Sequence, residues 1–197
     1  MRLPETAHTS RPWRIHEFTR DYRVEDVWAL PTPGGANDFP RLVALMASFD
    51  PSRSPSRAVR WLFAVRWKIG GLFGWDRSDT NGRATLHHRL PEDLRQARSG
   101  PAARPFTSVY LLEDEWAAEI VNRTMHGVLH IGWVANRAGD YRGQMAVLVK
   151  PNGRFGAASM AAIAPFRRRI VYPRMLRELG RLWHSRSTAS AIPSASP

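Results

Sequence analysis

The chain contains no cysteine, which removes disulfides, thiolate metal sites and cysteine nucleophiles together. Lysine is nearly absent: Lys68 and Lys150 stand alone among 29 basic residues, the rest being arginine. Acidic residues are few, 17 against those 29, giving a net charge of +12. Apolar runs are short; the uncharged stretch 156–166 falls well below the roughly 20 residues a membrane span needs. The opening residues MRLPETAHTSRPW lack the apolar centre of a secretory signal, so the sequence reads as a soluble, cytoplasmic protein. Catalytic signatures are missing as well. There is no G-x-S-x-G nucleophile elbow, no G-x-G-x-x-G or Walker phosphate loop, and no helix-turn-helix or RNP aromatic pattern. No cofactor follows from these residues.

What is present is enough for one well-cored domain in 197 residues, with 43% hydrophobic content and eight tryptophans. The domain is read as 13–184, between a loose polar arm at 1–12 and a disordered Ser/Ala/Pro-rich tail at 185–197. The positive charge is unevenly placed. Residues 154–197 carry eight arginines and one acid, and residues 50–68 carry five basic residues against Asp50. The arginine excess is partly a codon-usage signature and partly a property of the helices.

Periodicity gives the element types. Alternation of polar and apolar residues predicts four antiparallel strands at 106–112, 116–122, 126–134 and 143–150, with Glu113, Asp114 and Glu115 in the first hairpin turn. The segment 13–30 carries one or two further strands, and Pro31–Gly35 reads as a turn. Helical spacing predicts a helix at 39–49 capped by Asp38, and another at 57–73 with Arg57, Arg60 and Lys68 along one stripe. A last long helix starts near Arg154 after the Lys150-Pro151-Asn152-Gly153 break and bends at Pro165 and Pro173. The fold class is therefore α+β: a curved antiparallel sheet packed around a long C-terminal helix, with two additional helices in the N-terminal half.

The apolar register puts Leu129, Ile131 and Trp133 beside Met145, Val147 and Val149 on the helix-facing side. His126, His130 and Gln144 then fall on the opposite face, as exposed or half-buried polar residues or, if that face lines a pocket, as proton-handling groups. His126 and His130 do not share a metal, because four residue steps along a strand set them about 13 Å apart. The carboxylates Glu113, Asp114, Glu115 and Glu119 gather at one hairpin, where solvent is the expected environment. Arg167, Arg168 and Arg169 read as a solvated helix face.

Three segments, VEDVWALPTPGGANDFPRL (24–42), WAAEIVNRTMHGVLHIGWV (116–134) and GQMAVLVKPNGRFG (143–156), together resemble an uncharacterised bacterial domain-of-unknown-function family. That family is grouped with the START/Bet v 1-like helix-grip superfamily, SRPBCC. The resemblance covers roughly residues 13–184 and implies a sheet gripping the C-terminal helix around a pocket for an apolar or amphipathic small molecule. It carries over no catalytic residue.

The leading expectation is thus a small-molecule binding or carrier protein. Its cavity walls would be Tyr110, Leu129, Ile131, Trp133, Met145 and Val147 from the sheet and Met160, Ile163 and Phe166 from the helix. His126, His130, Gln144 and Arg66 would supply polar fixings. One alternative is an enzyme on the same fold, cyclase-, hydrolase- or isomerase-like, using His126 or His130 as acid or base. Another is an interaction module that meets a membrane or polyanion surface through the basic-aromatic helix 57–73. In that case Arg57, Arg60, Lys68, Arg167, Arg168 and Arg169 make the contact, with no specific nucleic acid.

Overall fold

The structure, a computed structural model, describes residues 1–49, 85–103, 105–122, 124–136 and 138–190, with side chains left out at 155, 159, 163 and 186–190. The expected helix at 57–73, with Arg57, Arg60, Arg66 and Lys68, lies outside the described residues, as does the side chain of Ile163. Six strands form one antiparallel sheet in the order β1-β2-β6-β5-β4-β3. They are β1 (Arg2–Leu3), β2 (Arg23–Gly34), β3 (Thr107–Leu111), β4 (Glu115–Val121), β5 (Met125–Ala135) and β6 (Tyr141–Pro151). The first long strand pairs with the last, and β3 to β6 run as a meander.

One face is covered by helices. Helix α2 (Phe39–Ser48) follows β2, and the C-terminal rod consists of α4 (Gly153–Phe166), a π-helical turn (Arg167–Val171) and α5 (Tyr172–Ser190). Gly153 starts the rod because its φ of 70° suits only glycine without strain. On this face β5 and β6 pair Leu129 with Val147 and Ile131 with Met145, the register read from the apolar pattern. Tyr172, Leu176, Leu179 and Trp183 of α5 pack there with Trp28, Trp116, Trp133, Leu42 and Leu45. Helix α5 runs on to Ser190.

The opposite face is also core, which sequence reasoning did not anticipate. Trp13, Ile15, Phe18 and Tyr22 from before β2, and Leu86, Leu90 and Leu94 from after α2, cover Val109, Tyr110, Val128, Ala146 and Leu148. Leu86 sits on a 3₁₀ turn (Leu86–Arg89), Leu90 directly after it, and Leu94 on a short α3 (Glu92–Gln96). Gly132 admits this layer: a Cβ there would lie 2.7 Å from the Trp13 ring. Strand β1 pairs with β2, and the α1 turn (Thr6–Thr9) rests on β5 and β6.

Two irregularities depart from expectation for identifiable reasons. Pro31-Thr32-Pro33 does not end β2 in a turn; the strand continues to Gly34, with a register shift between Ala29 and Pro33 that spares the prolines ladder donation. In β3 a bulge between Ser108 and Tyr110 reverses which way the following side chain points. Tyr110 therefore sits on the second face, away from Leu129 and Ile131 with which it was grouped.

Candidate functional site

Two buried carboxylate–imidazole pairs span β4 and β5. Glu115 lies across from Gly132 and Glu119 across from Val128, so in each case the histidine two residues earlier, His130 or His126, is the diagonal neighbour. His130 Nε2 stands 2.8 Å from Glu115 Oε2, and His126 Nε2 stands 2.6 Å from Glu119 Oε2. Glu115 is thus the first residue of a strand and 2% exposed, not a turn residue in solvent. His130 is 1% exposed where a surface or half-buried histidine was expected, because the N-terminal layer closes over it.

Each pair ends in a different partner. His126 Nδ1 meets the Tyr22 hydroxyl at 2.7 Å, and Glu119 Oε2 also accepts the Leu86 backbone N–H at 2.9 Å. Burial pushes the Tyr22 phenol well above its ordinary value. The Glu115 carboxylate accepts from the Arg14 backbone N–H at 2.9 Å, from the Tyr110 hydroxyl at 3.1 Å, and from His130. Burial alone would raise its pKa; the hydrogen bond from His130, with the Arg14 and Tyr110 donors, more than offsets that and holds it below the usual carboxylate value.

With Glu115 ionised, the network assigns one set of proton positions around a neutral His130. With Nε2–H given to Glu115, Nδ1 is an acceptor, and His8 Nε2–H donates to it across 3.2 Å. His8 Nδ1 then carries a buried lone pair with no hydrogen-bond partner. The His8 ring is fully buried, edge-on to both His130 and His16, at centroid distances of 5.0 and 4.8 Å. Burial first, then the neighbouring His130 and His16, lowers its pKa to about 2. Both ring nitrogens of His130 and of His126 are spent on protein groups. Among the described residues there is no cluster of three or more side chains fit to hold a metal ion.

Beside this network lies a pocket of about 460 Å³, lined by Leu3, Ala7, Ser10, Arg11, Pro12, Val134, Arg142 and Gln144. Its floor is the end of β5 and β6 on the second face, and its wall is the N-terminal arm. The Gln144 amide donates to the Ala7 carbonyl at 3.0 Å and pins arm to floor. Neither Arg11 nor Arg142 makes an ion pair among the described residues, and Arg11 stacks at 5.9 Å from the Trp13 ring. Other cations are committed: Arg14 to Glu17 and Asp93, Arg89 and Lys150 to Asp21.

The residues expected to wall a sheet–helix cavity lie as follows. Ile131, Met145 and Trp133 are 0%, 1% and 4% exposed within the helix-side core, with Leu129 and Val147 partly buried against it. Met160 and Phe166 are half-buried on α4. Of the proposed polar fixings, Gln144 lines this pocket. The Arg167–Arg169 trio also differs from the solvated face expected of it. Arg167 and Arg168 bind the buried Asp26 carboxylate at 2.8 and 2.6 Å, and Arg169 is exposed.

The matching family model covers residues 18–174. The chain belongs to the family described as Protein of unknown function (DUF2867). The matched span holds both carboxylate–imidazole pairs and the pocket floor, while the arm that supplies His8 and the pocket wall precedes it. No curated protein and no solved structure matches the chain. No helix among the described residues is long and apolar enough to cross a membrane.

Proposed function

We propose that this DUF2867 protein binds a small amphipathic carboxylate in the pocket between its N-terminal arm and the β5–β6 floor. The carrying observation is a pair of arginines, Arg11 and Arg142, that lack a carboxylate partner among the described residues and flank an apolar hollow of about 460 Å³. Ligand pockets of a few hundred cubic ångströms characteristically pair an apolar lining with a few polar fixings. Here Leu3, Ala7, Pro12 and Val134 are the apolar part, and Ser10 and Gln144 add neutral polar groups. An arginine fork matches a carboxylate in geometry as well as charge. The pocket is thus on the other side of the sheet from where a helix-grip protein would be expected to hold its ligand. Membership of the helix-grip superfamily is part of the proposal, supported by the pairing of first and last long strands and by the helix lying across one face.

Acid–base catalysis by His126 or His130 has less support, since both rings are saturated by Glu119, Tyr22, Glu115 and His8. Polyanion docking loses two of its cations to Asp26. Isothermal titration of the protein with octanoate at pH 8 tests the reading. Saturable one-site binding is expected, weakened about tenfold by Arg11→Gln and again by Arg142→Gln, or ~1.4 kcal/mol each. Octanol should bind far more weakly. Octanoate that fails to saturate, or that binds both variants as tightly as the natural protein, would refute it.

A further inference from the structure

The arm that walls the pocket is attached by a contact that has no room for another proton. In the chain Glu115–His130–His8, His130 Nε2–H points at the carboxylate and His8 Nε2–H points at His130 Nδ1. A proton added to His130 Nδ1 would face the His8 N–H at 3.2 Å, unless His8 moved its own hydrogen to Nδ1. That atom is buried and has no acceptor. A proton added to His8 Nδ1 directly meets the same deficit and places a cation in a fully buried ring. The groups around His8 offer no relief. His16 sits edge-on from the Arg14–Glu17 turn, with its Nε2 3.3 Å from the His8 carbonyl, and opposes rather than balances a positive charge on His8. The nearest anion, Glu115 on β4, is already satisfied by His130, by Tyr110 of β3 and by the Arg14 N–H. Gln144 of β6 is neutral and holds Ala7. Nothing on this list neutralises an imidazolium at residue 8.

We infer that protonation of His8 releases the N-terminal arm, so that the protein opens its ligand pocket when the pH falls below the ordinary imidazole range. The ligand-release part rests on the pocket reading above; the arm response does not. The remaining polar attachments are few: a two-residue β1–β2 ladder, the Met1 ammonium on the Ala29 carbonyl and the Ala29 N–H on the Met1 carbonyl, Arg2 with Asp26 at 3.7 Å, His16 against the His8 carbonyl, and Gln144 on Ala7. The direction follows from linkage. A docked His8 must be neutral, while in a free arm it titrates near 6.5. The stabilisation of the docked arm is therefore complete above that value and drains away as pH falls through it. Between pH 8 and pH 5 the docked-to-free ratio drops about thirtyfold.

The absence of cysteine makes the test direct, because Thr9→Cys creates a unique attachment point for a nitroxide on the exposed side of α1. The labelled protein should give an immobilised spectrum at pH 8 and a growing mobile component toward pH 5, with far-UV circular dichroism nearly unchanged. In a His8→Gln background, whose amide still donates to His130, the mobile component should no longer depend on pH. An arm equally immobile at pH 8 and pH 5 overturns the inference. So does an acid response that survives in His8→Gln, or one that arises only with global loss of helix signal in both proteins. If His8→Gln leaves the arm mobile at every pH, the natural protein decides by ¹⁵N imidazole spectra. His8 must gain its proton in step with the mobile component, and titration out of step is equally fatal. Octanoate titration at both pH values separates the two claims. No binding at pH 8 sinks the pocket reading alone, and octanoate retained behind an immobile arm at pH 5 sinks the switch alone.

Discussion

Glu115 offers the most demanding check on the second-face core. Its carboxylate is 2% exposed and accepts three hydrogen bonds, at 2.8 Å from His130, 2.9 Å from Arg14 and 3.1 Å from Tyr110. Glu115→Ala leaves three buried donors without an acceptor at about 1–3 kcal/mol each, so on the order of 3–6 kcal/mol after local relaxation. That is a large share of the roughly 5–15 kcal/mol that holds such a domain together. Glu115→Gln is the sharper perturbation. An amide can satisfy the Arg14 donor with its oxygen, but it then presents N–H to His130 Nε2. His130 has to become an Nδ1–H tautomer, His8 has to accept at Nε2, and the His8 hydrogen is left at a buried Nδ1 with no partner. The cost is about 1–3 kcal/mol, expressed as much at His8 as at the mutated site. Guanidinium chloride unfolding at pH 8, followed by tryptophan emission, measures the free energies, and ¹⁵N imidazole spectra report the tautomers. A loss below 1 kcal/mol for Glu115→Ala, or an unchanged His130 tautomer in Glu115→Gln, would refute the proton placement argued here.

Two further outcomes test other parts of the fold. Asp26→Asn should cost about 3 kcal/mol in the same unfolding assay, the low end for breaking a buried charge cluster because Arg168 and Arg2 are partly exposed. Gly132→Ala should cost about 1–3 kcal/mol by pressing on the Trp13 ring, with a matching change in tryptophan emission, since both groups are buried and neither can swing into solvent.

Much of the fold was readable because β5 and β6 carry a strict two-residue period. Leu129, Ile131, Met145 and Val147 could face only one way together, and the register followed. The second face was misjudged because its cover comes from 13–22 and 86–94, short segments with no period of their own and far from the strands in sequence. The Glu–His pairs did leave a signal. Glu115 and Glu119 are four apart on one strand, and His126 and His130 are four apart on the next, so a hairpin register that joins one pair joins the other. That signal was masked by assigning Glu115 to the turn. The bonds of Asp26 with Arg167 and Arg168, some 140 residues apart, had no local signature at all. The pocket arises where the N-terminal arm meets the end of β5 and β6, a meeting only tertiary structure reveals.

The π-helical turn at Arg167–Val171 has a consequence for how tolerant the C-terminal rod is to changes in length. Ala164 and Tyr172 are buried on either side of it. Eight residues of plain α-helix would set them about 80° apart, and the one extra residue of a π turn takes back about 100°, leaving them within about 20°. The turn works as a phase corrector that keeps both halves of the rod facing the sheet. A single-residue deletion within it would leave seven plain α-helical steps, still within about 20° of two full turns, so Leu176, Leu179 and Trp183 would stay on the core, whereas winding all eight residues as regular helix would rotate them off it. Substitutions along this helix should therefore be graded by burial, while insertions and deletions should be graded by angle.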